Sequence, residues 1–333
     1  MTMSETLLEV NDLNVAFRLA SANLTVSSDV SFSVDRGKVL GLIGESGSGK
    51  TVTSKAILRL LPKNASLEAK AIRFKGRDIS TLTEAEFNRL RGTELAMIFQ
   101  DPVGSFNPVK TIGWHFRTVG KLHRGAGAPR GEIMKEAKEV LAKADIADPE
   151  NALRKYPHQM SGGMLQRCLI ALVMFSKPSL IVADEPTTNL DNLVERQILD
   201  LFDKLRRETD ASFIFITHDM TIAEMISDSV IVMYAGQIVE QGPTEALMRR
   251  PQHPYTQGLV RTARELEGEV ETLTEISGEI GTGVHPENRC RFAPRCPLYE
   301  KACDHAIALR PVEGHGLVRC IKAGQGAANE VTP

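Results

Sequence analysis

Apolar residues along this chain fall into short dense runs separated by glycine, proline and charged positions. Val39-Leu40-Gly41-Leu42-Ile43, Leu95-Ala96-Met97-Ile98-Phe99, Leu180-Ile181-Val182-Ala183, Phe213-Ile214-Phe215-Ile216 and Val230-Ile231-Val232-Met233-Tyr234 are such runs. Unbroken apolar stretches of this length predict strands buried on both faces, as in a parallel sheet. The segments Leu7 to Val10, Leu13 to Phe17 and Val30 to Val34 instead alternate, and with the turn Asp35-Arg36-Gly37 they predict an antiparallel sheet leading into the first buried strand. Helices are predicted over Val52 to Leu61, ended by Pro62, and from Glu132, where Ile133, Ala137, Val140, Leu141 and Ala144 share one face. A third runs from Met164 to Phe175, and Ala235-Gly236 reads as a hairpin turn. Residues 103 to 131 look irregular, with a loop at Gly125 to Pro129. The pattern is α/β: a phosphate-loop core, an antiparallel β subdomain and a helical insertion over about 101–176.

The buried strands carry the chemistry at their carboxyl ends. After Ile43 comes Gly44-Glu45-Ser46-Gly47-Ser48-Gly49-Lys50-Thr51, then Val52 and the helix, which fits G-x-x-x-x-G-K-S/T in the strand–loop–helix context that gives the motif meaning. Glycines let backbone N–H groups converge on a phosphate, and the helix N-terminus adds its partial positive charge. Lys50 is expected to reach the outer phosphates and Thr51 to ligate Mg²⁺. The strand ending in Asp184-Glu185 offers Asp184 to the metal and Glu185 to deprotonate water, and His218 emerges from the end of the next strand toward the terminal phosphate. Ser161 is a good N-cap, with Gly162 and Gly163 leaving N–H groups open for an anion. Phe17 sits where it would serve either as an adenine platform or as a core aromatic.

Composition narrows the setting. The 333 residues are 42% apolar, enough for a full α/β core with an appendage. Lys plus Arg number 40 against 42 for Asp plus Glu, so no basic excess points to nucleic acid. No run approaches the roughly 20 apolar residues of a membrane span, and the start lacks a signal-peptide pattern, so a cytosolic location with reduced or metal-bound cysteines is expected. Residues 262 to 283, with alternating Glu265, Glu267, Glu269 and Glu271, read as a solvated linker, and the chain beyond Gly324 as a disordered tail. Cys168, among Leu169, Ile170 and Leu172, reads as a buried inert thiol.

The order of phosphate loop, Gln100, Ser161-Gly162-Gly163, Asp184-Glu185, Asn189-Leu190-Asp191 and His218 resembles an ATP-binding cassette protein across essentially the whole chain. Phe99-Gln100-Asp101-Pro102, Ser105-Phe106-Asn107-Pro108, Tyr156-Pro157-His158-Gln159-Met160 and His253-Pro254-Tyr255-Thr256 narrow the likeness to the ATPase subunits of bacterial dipeptide and oligopeptide importers. The resemblance implies ATP and Mg²⁺ as ligands, Gln100 as a metal and coupling residue, and a second, related ATPase subunit whose signature caps this chain's nucleotide. It also implies two membrane permease subunits, an external solute-binding protein and a place on the cytoplasmic face of the inner membrane. A soluble cassette ATPase without a transport partner is the rival reading. Met164 and Asn189 depart from the wider superfamily's usual residues.

Cys290, Cys296, Cys303 and Cys320 are separated by five, six and sixteen residues, unlike the close pairs common in structural zinc sites. The surrounding sequence resembles the carboxyl-terminal extension of the same importers, some of which hold a 4Fe–4S cluster on four such cysteines; zinc and free thiols remain open. His285, His305 and His315 nearby are expected to be solvated loop residues.

Overall fold

In the computed structural model, residues 5–19, 23–188, 190–266, 278, 280–281 and 288–324 are described. The alternating amino-terminal segments pair as foreseen but run longer. Leu7 to Val10 and Leu13 to Phe17 are one strand, β1 (Thr6–Arg18), antiparallel to β2 (Asn23–Asp35). Asp12 adopts a left-handed backbone, φ 50°, at a shift of register, so a bulge absorbs the polar break between the two predicted segments. The expected turn at Gly37 (φ 66°) then leads to β3 (Val39–Ile43), buried at every position. Helix α1 (Lys50–Ile57) follows the glycine loop, starting earlier than predicted and stopping well before Pro62, because Arg59 turns left-handed and its guanidinium donates to the carbonyls of Ile79 and Ser80. Strands β4 (Ala65–Glu68) and β5 (Ala71–Phe74) pair antiparallel with β1, and β6 (Arg77–Asp78) pairs with β5, completing the antiparallel subdomain.

The chain forms two compact units, Met1–Thr81 with Phe215–Pro333, and Leu82–Ile214. The second begins with α2 (Glu84–Leu90), held by a reciprocal cap between Thr83 and Glu86, and β7 (Leu95–Ile98). Its helical part comprises α3 (Ile112–Arg124), α4 (Arg130–Lys143), α5 (Pro149–Arg154) and α6 (Gly162–Phe175). Helix α3 corrects the reading of 103–131 as irregular. Its buried stripe includes Gly113 and Gly120, where a Cβ would meet Leu153's carbonyl oxygen at 2.7 Å and Ile133 at 2.9 Å, so small residues occupy positions where a pattern search expects large apolar ones. Helix α4 buries Ile133, Ala137 and Leu141 on the predicted face. Strand β8 (Leu180–Asp184) lies parallel to β7 and is wholly buried; each such aliphatic side chain contributes about 1.5–3 kcal/mol on leaving water. Helix α7 (Asn192–Glu208) and β9 (Ser212–Thr217) end this unit, and β9 carries the chain back into the first.

There α8 (Met220–Ile226) precedes β10 (Ser229–Tyr234), which lies parallel to β3, and β11 (Gln237–Pro243), which returns antiparallel. The hairpin at Ala235-Gly236 is as predicted, both residues being left-handed. Helices α9 (Thr244–Arg249) and α10 (Pro254–Leu266) follow. The expected linker is therefore helical up to Leu266, and Glu265 is buried. Glu267, Glu269 and Glu271, His285 and the tail beyond Gly324 lie outside the described residues. The hairpin of β12 (Arg310–Val312) and β13 (Gly316–Val318) adds to β11 through Glu240 opposite Val318.

Candidate nucleotide site

The loop after β3 is built as its sequence requires. Gly44 (φ 153°) and Gly49 (φ 99°) occupy backbone conformations that side chains resist, and a Cβ on Gly44 would run into the carbonyl oxygen of Met233. Gly49 is the N-cap of α1, so Lys50 and Thr51 form its first turn. Lys50 is buried, and its Nζ donates to the carbonyls of Gly44 at 2.6 Å and Glu45 at 3.0 Å, folding the loop around its own cation. Ser46 and Gly47 are exposed and Ser48 is buried beneath them, its carbonyl accepting from Gly236 at 2.9 Å. Val52 is half-buried on the helix. Phe17 is half-buried near the end of β1, opposite Leu24 and Ala65.

In the second unit, Asp184 is buried at the carboxyl end of β8 and Glu185 follows it with φ 43°. A left-handed glutamate is strained, and such residues concentrate at functional sites. Its Oε2 accepts from Gln100 Nε2 at 3.2 Å and from Thr188 Oγ1 at 3.0 Å. Two residues chosen from the sequence 85 positions apart are thus in contact. Thr188 was not foreseen, although its place three residues after the acid is a common spacing for a side chain that reaches back.

Ser161 caps α6 as expected, its hydroxyl accepting the Met164 N–H at 3.3 Å. Gly162 has open space where a Cβ would stand, whereas at Gly163 a Cβ would meet Val194 at 2.7 Å, so the second signature glycine permits close packing against α7. Asp191 caps that helix through the Val194 N–H. His218 is exposed just past β9, as the sequence placed it. Cys168 is fully buried, and burial alone pushes its thiol up to about 12, leaving it inert.

One carboxyl-terminal histidine departs from expectation. His315 is buried, its Nε2 donating to Glu240 at 2.6 Å, while His305 is exposed. Cys303 and Cys320 are buried, and Cys290 and Cys296 half-buried; burial pushes Cys290 up to about 11 and raises Cys296 and Cys320. Among the described residues no group of three or more His, Cys, Asp or Glu side chains is arranged to hold a single metal ion.

A phosphate loop of this build, with a serine-capped glycine helix ahead of an acidic strand in one chain, defines the layout of a cassette ATPase. Family comparison agrees: residues 27–188 match the ABC transporter family, and residues 239–303 match the oligopeptide/dipeptide transporter C-terminal region. A putative peptide import ATP-binding protein of Brucella melitensis is 38% identical over 97% of this chain and 98% of its own length. One from Brucella abortus is 40% identical over 94% of each. Among solved structures, an ATP-binding cassette captured as a dimer after hydrolysis with ADP and phosphate shares the fold, with a TM-score of 0.63 at 23% identity over 71% of this chain and 98% of that one. The chain belongs to the ABC transporter ATPase family. No helix among the described residues is long and apolar enough to cross a membrane.

Proposed function

We propose that this protein is the ATP-hydrolysing subunit that powers import of peptides, or a related small solute, through a separate permease. The observation that carries this reading is the extent of the match: relatives with peptide-import names align along 94% or more of the chain, and the peptide-transporter C-terminal region is included. The partners follow from it: two membrane permease subunits, a second ATPase chain and an external solute-binding protein, with this chain peripheral on the cytoplasmic face of the inner membrane.

The residues take roles that their chemistry suits. Lys50 and the N–H groups of 46–52 hold the phosphates of ATP, with Phe17 against the adenine. Thr51, Gln100 and Asp184 supply hard oxygen donors suited to Mg²⁺. Magnesium, when bound, neutralises charge developing on the phosphates. Glu185 takes the proton of the attacking water, steadied by Gln100 and Thr188. His218 meets the terminal phosphate, and Ser161, Gly162 and Gly163 cap the nucleotide of the second ATPase chain. Binding of ATP favours the closed pair and hydrolysis releases it, so the permease is driven in proportion to that preference.

Glu185→Gln tests the assignment. Nucleotide affinity stays within about threefold while turnover falls about 10²–10⁴-fold, the usual worth of a general base. Hydrolysis at the parental rate would remove Glu185 from that role. Co-purification from detergent-solubilised membranes with two multi-span proteins checks the transport half. A 4Fe–4S cluster on Cys290, Cys296, Cys303 and Cys320 rests on the resemblance alone and enters no step here. Anaerobic purification checks it: about four iron atoms and four sulfides per chain establish the cluster, and metal-free protein rejects it.

A further inference from the structure

Glu45, inside the phosphate loop, is held by side chains 210 and 250 positions downstream. Its backbone N–H donates to Tyr255 Oη at 2.9 Å. Its carboxylate accepts from Arg295 Nη1 at 3.0 Å, and the Arg295 side chain is only 7% exposed. The peptide unit that gives this N–H also supplies the Gly44 carbonyl, to which Lys50 Nζ donates. A planar peptide turns as one body. Tyr255, by fixing the N–H, therefore fixes the carbonyl that anchors the Lys50 ammonium.

The grip is itself well supported. Tyr255 is fully buried, with ring centroids 4.8 Å from Tyr234 and 5.4 Å from Phe292. Arg295 lies over the Tyr234 ring at 5.7 Å and the Phe292 ring at 6.0 Å, and also donates to Tyr234 Oη. A guanidinium stacked in this way is pre-organised for its carboxylate. Nearby, Arg291 ties the same segment to the Ala235 carbonyl and to Ser28 Oγ.

We propose that Tyr255 and Arg295 are positioning residues of the ATP site, through which the carboxyl-terminal segment holds the phosphate loop and Lys50 in binding geometry. They act on the loop through Glu45. This rests on the reading that the 44–51 loop holds the phosphates, which Lys50→Ala tests separately. A lysine free to wander costs affinity first, because chemistry in such a site is mostly positioning and charge.

The experiment measures ATP KM, kcat and the equilibrium affinity for a fluorescent ATP analogue in the full-length protein. Tyr255→Phe keeps the ring and removes the acceptor; Arg295→Met keeps length and removes the charge. Each raises KM and weakens the analogue about three- to tenfold, the range of one lost hydrogen bond, with kcat within twofold. Arg295→Lys restores most of the loss, and Glu45→Arg combined with Arg295→Glu recovers affinity relative to either single change. Should Arg295→Met fail to fold, Tyr255→Phe and Arg295→Lys carry the test. Unchanged KM and affinity in these variants, with only a lowered melting temperature of the nucleotide-free protein, would overturn the proposal. Parental affinity in Lys50→Ala would instead overturn the loop assignment beneath it.

Discussion

Glu240 on β11 collects three donors in a site from which water is excluded: the Gln252 N–H at 2.8 Å, the His253 N–H at 2.7 Å and His315 Nε2 at 2.6 Å. One side chain thus ties β11 to the start of α10 and to the turn before β13. Glu240→Ala leaves all three donors without an acceptor. Each orphaned buried donor costs about 1–3 kcal/mol, and water entering the vacated space recovers part of it, so a net loss of about 3–5 kcal/mol is expected. Glu240→Gln keeps the volume and one acceptor but turns an amide N–H₂ toward a donor, costing about 1–2 kcal/mol. Because the chain holds two compact units, a global unfolding curve gives the direction of a change but not its free energy. Hydrogen exchange read by mass spectrometry on peptides covering 237–266 and 310–318 is local. About 3 kcal/mol corresponds to about a hundredfold faster exchange in Glu240→Ala, and about tenfold in Glu240→Gln. Protection within threefold of the parent in the alanine variant would refute the reasoning, since it would mean the donors find other partners at no cost.

Acid sensitivity follows from the same corner of the molecule. His253 is 1% exposed, and burial pulls its imidazole down from 6.5 to about 4, while its Nδ1 is already occupied as an acceptor for the Tyr255 N–H. The unfolded chain binds a proton that the folded one refuses, so this stability is complete above pH 6.5 and declines toward pH 4 by about 3 kcal/mol in total. Urea midpoints between pH 7.5 and 5 should fall in the parent and less so in His253→Gln; equal slopes would remove His253 as the cause. In the phosphate loop, Gly44→Ala meets the Met233 carbonyl and Ser48 Oγ and should lose nucleotide affinity by tenfold or more. Gly47→Ala has nothing within 4 Å and carries only the left-handed penalty, about 1–2 kcal/mol, read as a lower melting temperature. Similar affinities in the two variants would show that the close approach at Gly44 is not what shapes the loop.

Local signals wrote much of this molecule. The buried strands β3, β8 and β9, the loop between β3 and α1, the Ser161 cap and the Ala235-Gly236 hairpin all depend on neighbours within a few residues, and all stand where the sequence placed them. What failed depended on distant contacts. Helix α3 was hidden because its glycines answer to α4 and α5, not to helical propensity. The start of the expected linker looked solvated, yet Glu265 is buried and Arg264 reaches the Met248 carbonyl, so α10 runs on to Leu266. His315 looked solvated until Glu240, 75 positions away in sequence, gave it a buried partner.

The candidate site divides the same way. Residue types and spacing singled out Lys50, Thr51, Asp184, Glu185 and His218, because phosphate and water chemistry restricts what can stand there, and the family resemblance added Gln100. Only the tertiary structure decided which side chains hold them: Thr188 beside Glu185, and Tyr255 and Arg295 around Glu45. Chemistry is carried by single residues and can be read along a line; support is a relation between residues far apart in sequence, and exists only once the chain has folded.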